Sequence, residues 1–320
     1  MSIYEFQLAN LSALGYTEAE ARFLYLVAAH SGYFTVRQFL DFCHARSGKR
    51  NSRFVEKLFA LGHASAQRYT RRSLVYHLRS RRIYEAIGKT HLRNRREHEL
   101  DYIKTRLLAL DFILANPEDR YFETAEEKRR YLIERFKLSE SLFVRPSEHS
   151  KAITFSEAFP LCVAYPAPDY MPVVTFTYVD PEHQNLDRYI AHLRTYRPLF
   201  QQLPSFQFIY ISTAVGLQQE AGQLFSFLVE GSGLSDLTRY FDIQAKWDSR
   251  KYNLVTEDDM IFRHQATKRF SGEIFDTLFR LWSRNQLPKD FRAESTTTRT
   301  DTQKVLFRAV TVPGQEAVFG

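Results

Sequence analysis

Hydrophobic positions recur at helical spacing through the first sixty residues and predict three helices in succession. Thr17 and Thr35 each stand three residues before a Glu or Gln, which is the capping box that starts a helix. A third apolar run, from Phe54 to Leu61, predicts another helix with Asn51 or Ser52 as its cap. Glycines after the first and third runs are consistent with helix ends.

Two short strand-like runs follow these helices. They cover Ala64 to Tyr69 and Ser73 to Leu78, with Arg71 and Arg72 in the turn between them. Three helices with short connections and a basic hairpin are typical of a winged helix-turn-helix domain. We therefore predict such a domain over residues 1–88.

The segment after the hairpin predicts one long helix, from Thr90 to Leu114. Its first half is basic and its second half is apolar, so one end suits a DNA backbone and the other suits a protein core. We predict residues 89–115 as a connecting helix, and the pattern leaves open that this helix serves dimerisation.

The remainder of the chain alternates strand-like and helical runs. Strand candidates are Phe159 to Tyr165, Pro172 to Val179 and Phe206 to Ser212, with helices at about 186–199 and 217–229 and mostly helical sequence from 234 to 282. Strand, helix, strand order is typical of a parallel pair in an α/β layer. We predict a two-domain protein of the α+β or α/β class, with an α/β domain over 116–290. Residues 291–320, rich in Thr and charge, are predicted as a flexible C-terminal tail.

Charge is concentrated in one segment. The chain has 44 basic and 37 acidic residues, yet Arg46 to Arg106 alone holds 17 basic and 5 acidic residues, a net charge of +12. The rest of the chain is net −5. Such a concentration is expected of a surface that binds nucleic-acid phosphates, although a solvated basic face gives the same count. The predicted DNA contacts are Lys49, Arg50, Asn51, Ser52, Arg53, Lys57, Arg68, Arg71, Arg72, Arg79, Arg81 and Arg82.

The start of the third helix is the predicted reader of duplex DNA. Recognition helices enter the major groove with their first residues, and Arg and Asn have the bidentate geometry that guanine and adenine edges require. We therefore expect Arg50, Asn51 and Arg53 to reach base edges, and Lys49 with the two wing arginines to contact phosphates or the minor groove. A helix cannot enter the deep, narrow major groove of A-form RNA, which favours duplex DNA.

The order of elements resembles the bacterial replication-relaxation family. The resemblance is carried by the helix-turn-helix and wing, then by PDYMPVVTFTYVDPEHQNLDRYIAHLRTYRPLF from Pro168 and FQFIYIS from Phe206. It implies a DNA-binding protein that travels with plasmids and integrative elements, as a transcription regulator or a replication or mobilisation accessory factor. It also implies a second domain similar in layout to restriction-endonuclease-like folds.

The likeness to these folds suggests a second hypothesis, a metal-dependent nuclease. Its candidate metal ligands are Asp169, Asp180 and Glu182. Such a nuclease needs an acidic residue two positions before a Lys on the strand from Pro172 to Val179. The acidic residue helps to hold a divalent metal, and the Lys polarises the attacking water. The strand has neither residue. We therefore predict no enzyme activity, no cofactor and no resident metal. A divergent nuclease and a non-specific nucleic-acid adaptor stay open as alternatives.

The remaining features indicate location and partners. Cys43 and Cys162 lie far apart without CxxC spacing, which indicates a reducing compartment. No signal-like or membrane-spanning run occurs, so we expect a cytoplasmic protein without a membrane partner. Nucleotide-binding glycine motifs are absent from the sequence. The expected partner is duplex DNA, with a homodimer and a protein partner of the second domain left open.

Overall fold

The computed structural model describes residues 3–46, 48–70, 73–143, 159–164, 172–181, 186–213, 216–287 and 304–312. These residues form a mixed α+β structure with two β-sheets. The predicted combination of helices and sheets is confirmed at this level. None of the described helices is long and apolar enough to cross a membrane.

The N-terminal part contains four helices: α1 (Glu5–Ala13), α2 (Glu18–His30), α3 (Val36–Phe42) and α4 (Lys49–Ala60). Thr17 caps α2 and Thr35 caps α3 through the predicted capping boxes, in which the Thr oxygen accepts from a backbone amide of the first turn. Helix α4 begins earlier than predicted. Gly48 is its N-cap, and the Asn51 side chain accepts a hydrogen bond from the Gly48 amide.

A small antiparallel sheet completes the N-terminal part: β1 (Tyr33–Phe34), β2 (Ala64–Thr70) and β3 (Ser73–Leu78). Strand β3 lies in the centre, with β1 on one side and β2 on the other. The predicted β2–β3 hairpin is therefore confirmed. Its tip residues, Arg71 and Arg72, lie outside the described residues.

The second sheet has five strands: β4 (Arg120–Tyr121), β5 (Leu161–Ala164), β6 (Val173–Asp180), β7 (Ser205–Ser212) and β8 (Lys304–Thr311). They are ordered β4-β5-β6-β7-β8. Strands β4 to β6 pair in antiparallel fashion, whereas β6 and β7 run parallel. The predicted parallel pair is confirmed.

Strand β8 overturns part of the prediction for the C-terminal segment. Residues 291–320 are predicted as a flexible tail, but β8 is an edge strand of the five-stranded sheet. Lys304 is exposed whereas Val305 and Phe307 are half-buried, which is the alternation of a strand with one covered face. The Phe307 ring stacks on Phe208 at a centroid distance of 6.4 Å. The tail prediction is wrong over these residues because ring packing and pairing stabilise the strand.

Two helices follow the hairpin: α5 (Arg81–Ala86) and α6 (Leu100–Ala115). The connecting helix predicted over 89–115 therefore begins only at Leu100, and residues 89–99 form turns and a short 3-10 helix. The prediction is wrong there because Asn94 is buried. Its side-chain amide donates to two main-chain oxygens in the last turn of α2 and holds this segment in a turn.

Helix α6 is buried along most of its length. Every residue from Leu107 to Ile113 is buried, and so are Ile103 and Thr105. The helix packs against α2, α3 and β1, and also against β6 of the second sheet. The second half of α6 is thus buried on every side and belongs to the core. This packing leaves little of α6 free to serve as a dimerisation helix.

The three-stranded sheet packs on both faces. Phe34 and Tyr76 belong to the core formed with α2, α3 and α4, and their rings stack at 5.2 Å. Tyr33 and Val75 belong to a separate cluster with Ile103 of α6. Because side chains alternate across a strand, neighbouring residues of one strand reach these two clusters. The sheet is thus held between the helical core and α6.

One charged residue lies within the buried part of α6. Asp111 is 6% exposed, and Arg37 Nη2 on α3 donates to its two oxygens at 2.7 and 2.8 Å. Arg37 also donates to Asp41 at 3.0 Å. The neighbouring Gln38 donates to the main-chain oxygen of Leu107 at 2.8 Å. Such bonds offset the cost of removing a carboxylate from water.

The chain divides into two compact units. The first comprises Met1–His183, Phe206–Gly216 and Leu306–Gly320, and the second comprises Gln184–Ser205 and Leu217–Val305. The first unit therefore holds the N-terminal elements, α6, α7 (Ala125–Phe136), the whole three-stranded sheet and most of the five-stranded sheet. Domain boundaries at residues 88, 115 and 290 follow chain order instead, and they stay a prediction.

The second unit is largely helical: α8 (Asp187–Gln201), α9 (Gln218–Phe225), α10 (Leu234–Asp248), α11 (Glu257–Thr267) and α12 (Glu273–Ser283). Phe270 lies at the centre of its aromatic core, 6.0 Å from Phe227 and 5.5 Å from Phe275 between ring centroids. The helical character predicted for 234–282 is confirmed. An acidic triplet starting at Glu257 forms the first turn of α11, where it complements the helix dipole.

The Asp111→Ala variant should be much less stable than Asp41→Ala, although both residues pair with Arg37. We expect Asp111→Ala to lower the free energy of unfolding by about 2–4 kcal/mol, because it breaks a buried pair. Asp41 is 61% exposed, so its removal should cost at most about 0.5 kcal/mol. Urea denaturation followed by circular dichroism measures both values. Equal losses would contradict the role assigned to the buried pair.

His30 predicts a loss of stability in acid. Burial, with Lys128, Arg106 and Lys89 nearby, lowers the pKa of His30 to about 3, whereas in the unfolded chain it is about 6.5. As pH falls below about 6.5 the unfolded state binds the proton first, so stability is lost towards pH 3. We expect a loss of about 2 kcal/mol between pH 6.5 and 5 from this residue. Denaturation across this range should show a shallower decline in His30→Gln, and an unchanged decline would refute the assignment.

Candidate nucleic-acid interface

The first two turns of α4 present cations to solvent. Lys49, Arg50 and Arg53 are exposed, and none of them has an ion-pair partner within the described part of the chain. Further along the helix, Phe54 is fully buried and its ring stacks on Phe39 at 4.0 Å. The buried ring fixes α4 on the core, so that the three cations extend from a fixed backbone. Such a start can contact an anionic surface.

Asn51 and Ser52 lie in the same turns but differ in their freedom. Ser52 is exposed. Asn51 Oδ1 accepts a hydrogen bond from the Gly48 amide at 2.7 Å, so its carbonyl group is engaged at the start of the helix. A bidentate contact with adenine uses both the oxygen and the amide nitrogen. The bond fixes the orientation of the Asn51 side chain and leaves a second lone pair on Oδ1. The contact of Asn51 with adenine stays a prediction.

A groove lies between the start of α2 and the start of α4. It has a volume of about 660 Å³, and its lining includes Arg50, Arg53, Thr17, Glu18 and Arg22. Both acids of the groove pair with other cations: Glu18 with Arg22 at 2.8 Å, and Glu20, which also lines the groove, with Lys57 at 2.6 Å. The two α4 guanidinium groups therefore keep their charge available in the groove. Arg22 was not predicted here, because its spacing from Glu18 indicates an ordinary surface pair.

Lys57 contacts protein groups instead of extending into solvent. Its Nζ lies 2.6 Å from Glu20 Oε2 and 2.9 Å from the main-chain oxygen of Gly15. It also lies 5.3 Å from the centroid of the Tyr16 ring. Lys57 thus contributes to packing in this structure, and its contact with DNA stays a prediction. Its ammonium group joins α4 to the start of α2, and its charge is balanced by Glu20, which is 37 residues away in sequence.

A neutral hydrogen bond lies behind α4. Tyr16 Oη is 2.7 Å from His63 Nδ1. Burial, with Arg82 adding to it, lowers the pKa of His63, and burial raises the pKa of Tyr16. Both groups are consequently neutral at pH 7. The positive charge of this region therefore comes from its lysines and arginines.

The hairpin contributes Arg68, which is exposed on β2 opposite Leu74 of β3. Arg68 also interacts with neighbouring protein groups. Arg71 and Arg72, predicted at the tip of the hairpin, lie outside the described residues, and their contact with DNA stays a prediction.

Three further predicted contacts follow β3. The amide of Arg79 donates to the main-chain oxygen of His63, just beyond α4, at 3.2 Å. Arg79 and Arg82 are exposed. Arg81 pairs with Glu85 at 2.8 Å, but both side chains are largely exposed. Exposed pairs contribute little energy, so a phosphate can replace Glu85 as the partner of Arg81.

Of the three candidate metal ligands, the structure describes only Asp180. It ends β6, is 7% exposed and accepts a hydrogen bond from the Tyr210 hydroxyl. Ser212 of β7 lies beside it in register. Asp169 and Glu182 lie outside the described residues. Within the ranges that the structure covers, no three His, Cys, Asp or Glu side chains are grouped to hold a metal ion.

Comparisons of the chain with protein-family models, with curated proteins and with solved structures find no match. The resemblance to the replication-relaxation family, which the helix-turn-helix, the wing and the segments from Pro168 and Phe206 carry, therefore stays a prediction. What the chain can bind follows from the charges and contacts of its own residues.

The Lys57→Gln variant should lose stability, whereas Arg53→Gln should not. A neutral amide at this position cannot balance the charge of Glu20, so we expect the free energy of unfolding to fall by about 1–2 kcal/mol. Arg53 is exposed, and its replacement should change stability by no more than about 0.5 kcal/mol. Urea denaturation of both variants provides the measurement. An unchanged Lys57→Gln protein would mean that the lysine does not join α4 to α2 in solution.

Proposed function

We propose that the N-terminal part is a winged helix-turn-helix that binds duplex DNA through the start of α4. One observation carries the proposal. The elements follow the order α2, β1, α3, α4, β2, β3, and β1 pairs with β3 in the sheet β1-β3-β2. Helix α4 directly precedes a two-stranded hairpin in this order, which is the arrangement of a winged helix. In this interpretation α4 is the recognition helix and the β2–β3 hairpin is the wing.

The free charges of α4 support this role. Arg50 and Arg53 have planar guanidinium groups that can donate two hydrogen bonds to a guanine edge. Lys49 precedes them and suits a phosphate. Because Phe54 is packed into the core, these side chains act from a rigid element, which reduces the entropy lost on binding. We assign base contacts to the two arginines and phosphate contacts to Lys49 and the wing.

We assign the biological role from the sequence resemblance. It favours a sequence-selective regulator, or a replication or mobilisation accessory factor, of a bacterial mobile element. The resemblance also implies a degenerate restriction-endonuclease-like layout, which the succession of β6 ending at Asp180, α8 with Tyr196, and β7 supports. We propose that this part of the chain serves assembly, as a homodimer or with a protein partner. Nuclease activity is not proposed, since Asp180 is bonded to Tyr210 and β6 has no other acid.

Binding of fluorescent duplex DNA by the full chain tests the function. If about five phosphates are neutralised, the logarithm of the association constant should fall with the logarithm of salt concentration with a slope of about −4 to −5. Fluorescence anisotropy between 50 and 300 mM salt, roughly the range over which such contacts weaken, gives this slope. No binding at low salt, or binding that does not depend on salt, would overturn the proposal.

Variants of α4 separate reading from general attraction. Arg50→Ala or Arg53→Ala should weaken binding to a selected site by roughly 1–3 kcal/mol and relax the preference at one base pair. The exposed Arg130 of α7 is the matched control, and Arg130→Ala should leave the preference unchanged. Selection of sites from a random duplex pool, followed by anisotropy, measures both effects. If the α4 variants weaken all sequences alike, α4 is not the reader.

A further inference from the structure

The turn before α6 is fixed by bonds from its own backbone and from Asn94. Arg93 and Arg96 each offer a main-chain oxygen, the first 3.3 Å from His98 Nε2 and the second accepting from the Tyr33 hydroxyl at 3.1 Å. Asn94 donates to the main-chain oxygens of Ala28 and Ala29 at 3.0 and 3.1 Å. The turn therefore holds a defined position at the end of α2.

Gly32 allows this close approach. It has a positive φ of +80°, and a Cβ atom at this position would lie 2.2 Å from the main-chain oxygen of Asn94. A side chain there would meet backbone, which cannot rotate aside. His77 Nε2 lies 3.2 Å from the same oxygen of Asn94. The backbone of the turn is thus packed directly against the backbone that leads into β1.

Three guanidinium groups extend from this fixed turn. Arg93, Arg95 and Arg96 are exposed, and their side chains have no hydrogen bond or ion pair with other described residues. Glu97 and Glu99 follow and are exposed as well, yet neither is bonded to these arginines. Three exposed cations on one short turn make this surface locally positive, and such a surface attracts an anion such as a phosphate.

The turn and the start of α4 lie at opposite ends of α2. Arg50 and Arg53 line the groove at the first turn of this helix, whereas Asn94 bonds to Ala28 and Ala29 in its last turn. Helix α2 has 13 residues, so its ends are about 20 Å apart. That distance corresponds to about six base pairs of duplex DNA. The three arginines are therefore separate from the surface assigned to reading bases.

We infer that Arg93, Arg95 and Arg96 form a second phosphate-binding surface, which contacts DNA backbone away from the segment that α4 reads. The inference builds on the proposed function, because it extends the same protein–DNA complex. Arg is suited to this contact, since its planar fork donates two bonds to a phosphate and remains charged at any physiological pH. The turn is already ordered before it binds, so little conformational entropy is lost. Binding here carries no base preference.

The test compares two sets of variants on a short and a long duplex. The turn variant carries Arg93→Gln, Arg95→Gln and Arg96→Gln, and the reader variant carries Arg50→Gln and Arg53→Gln. If the turn contacts flanking phosphates of the same duplex, the turn variant should bind a duplex of about 36 base pairs roughly tenfold more weakly than the wild type. Its salt slope should be smaller by about 2–3, and its binding to about 12 base pairs should be unchanged. If the turn contacts a second duplex, titration should give two short duplexes per wild-type chain and one per variant.

Two controls assign the effect to the turn. Arg130→Gln, Arg135→Gln and Lys137→Gln remove three exposed charges from the region of α7 and should not change binding of the long duplex. Replacing the three turn arginines by Lys keeps their charge and should restore most of the salt slope. Circular dichroism and thermal denaturation should show that all variants fold alike, because the substituted side chains are exposed.

The outcomes separate the two proposals. A turn variant that matches the wild type in long-duplex affinity, salt slope and stoichiometry overturns the second surface. The function proposed for α4 then still stands if the reader variant loses binding to the short duplex. A wild-type protein that binds neither duplex at low salt overturns both. The inference is also overturned if the turn variant binds the long duplex no more weakly than the α7 control does. Any loss of affinity would then follow from the lower net charge alone.

Discussion

Asp111 lies in a helix whose neighbouring residues are buried and apolar, and Arg37 reaches its carboxyl group from α3. A carboxylate without such a partner would be expensive to bury. The pair fixes α3 against α6, and α6 also packs on β6. The N-terminal helices and the second sheet therefore share one buried element. This explains why both belong to the same compact unit although the chain order separates them.

The same logic divides the basic residues of the N-terminal part into two groups. Lys57 and Arg37 are held by acids of neighbouring helices, and Lys89 pairs with Glu123 and Glu127. These cations stabilise packing and offer little to a ligand. The arginines at the start of α4 and in the turn before α6 remain exposed. The charge available for DNA is thus smaller than the net +12 of the segment, but it is placed on rigid backbone.

Local signals predicted the elements that depend on local bonds. The capping boxes at Thr17 and Thr35 need only residues three positions apart, and both are present in the structure. The parallel pair of β6 and β7 followed from the strand, helix, strand order. Predictions failed where distant residues decide. Asn94 breaks the expected connecting helix through bonds to α2, 65 and 66 residues away. Helix α1 was not predicted, and its low amphipathic contrast gives no clear periodic signal.

The candidate site residues also divide into those that local sequence predicts and those that distant residues decide. The exposed start of α4 could be predicted, since a cluster of cations after a glycine turn is visible in the sequence. The internal role of Lys57 could not, because Glu20 is 37 residues away. The bond between Asn51 and the Gly48 amide could not be predicted, because the sequence pattern indicated a later start for α4. Exposed and half-buried residues alternate along most of β8. The polar, Thr-rich sequence before it led to the prediction of a flexible tail for the whole segment.

Entry of α4 into a major groove is the central claim, and the choice between duplex DNA and duplex RNA tests it most directly. Both duplexes carry the same backbone charge, but the major groove of A-form RNA is too narrow and deep for a helix. We expect the full chain to bind a DNA duplex at least about tenfold more tightly than an RNA duplex of the same sequence at equal salt. Equal affinities in a competition anisotropy measurement would contradict it, because the basic surface would then attract any polyanion without reading a groove.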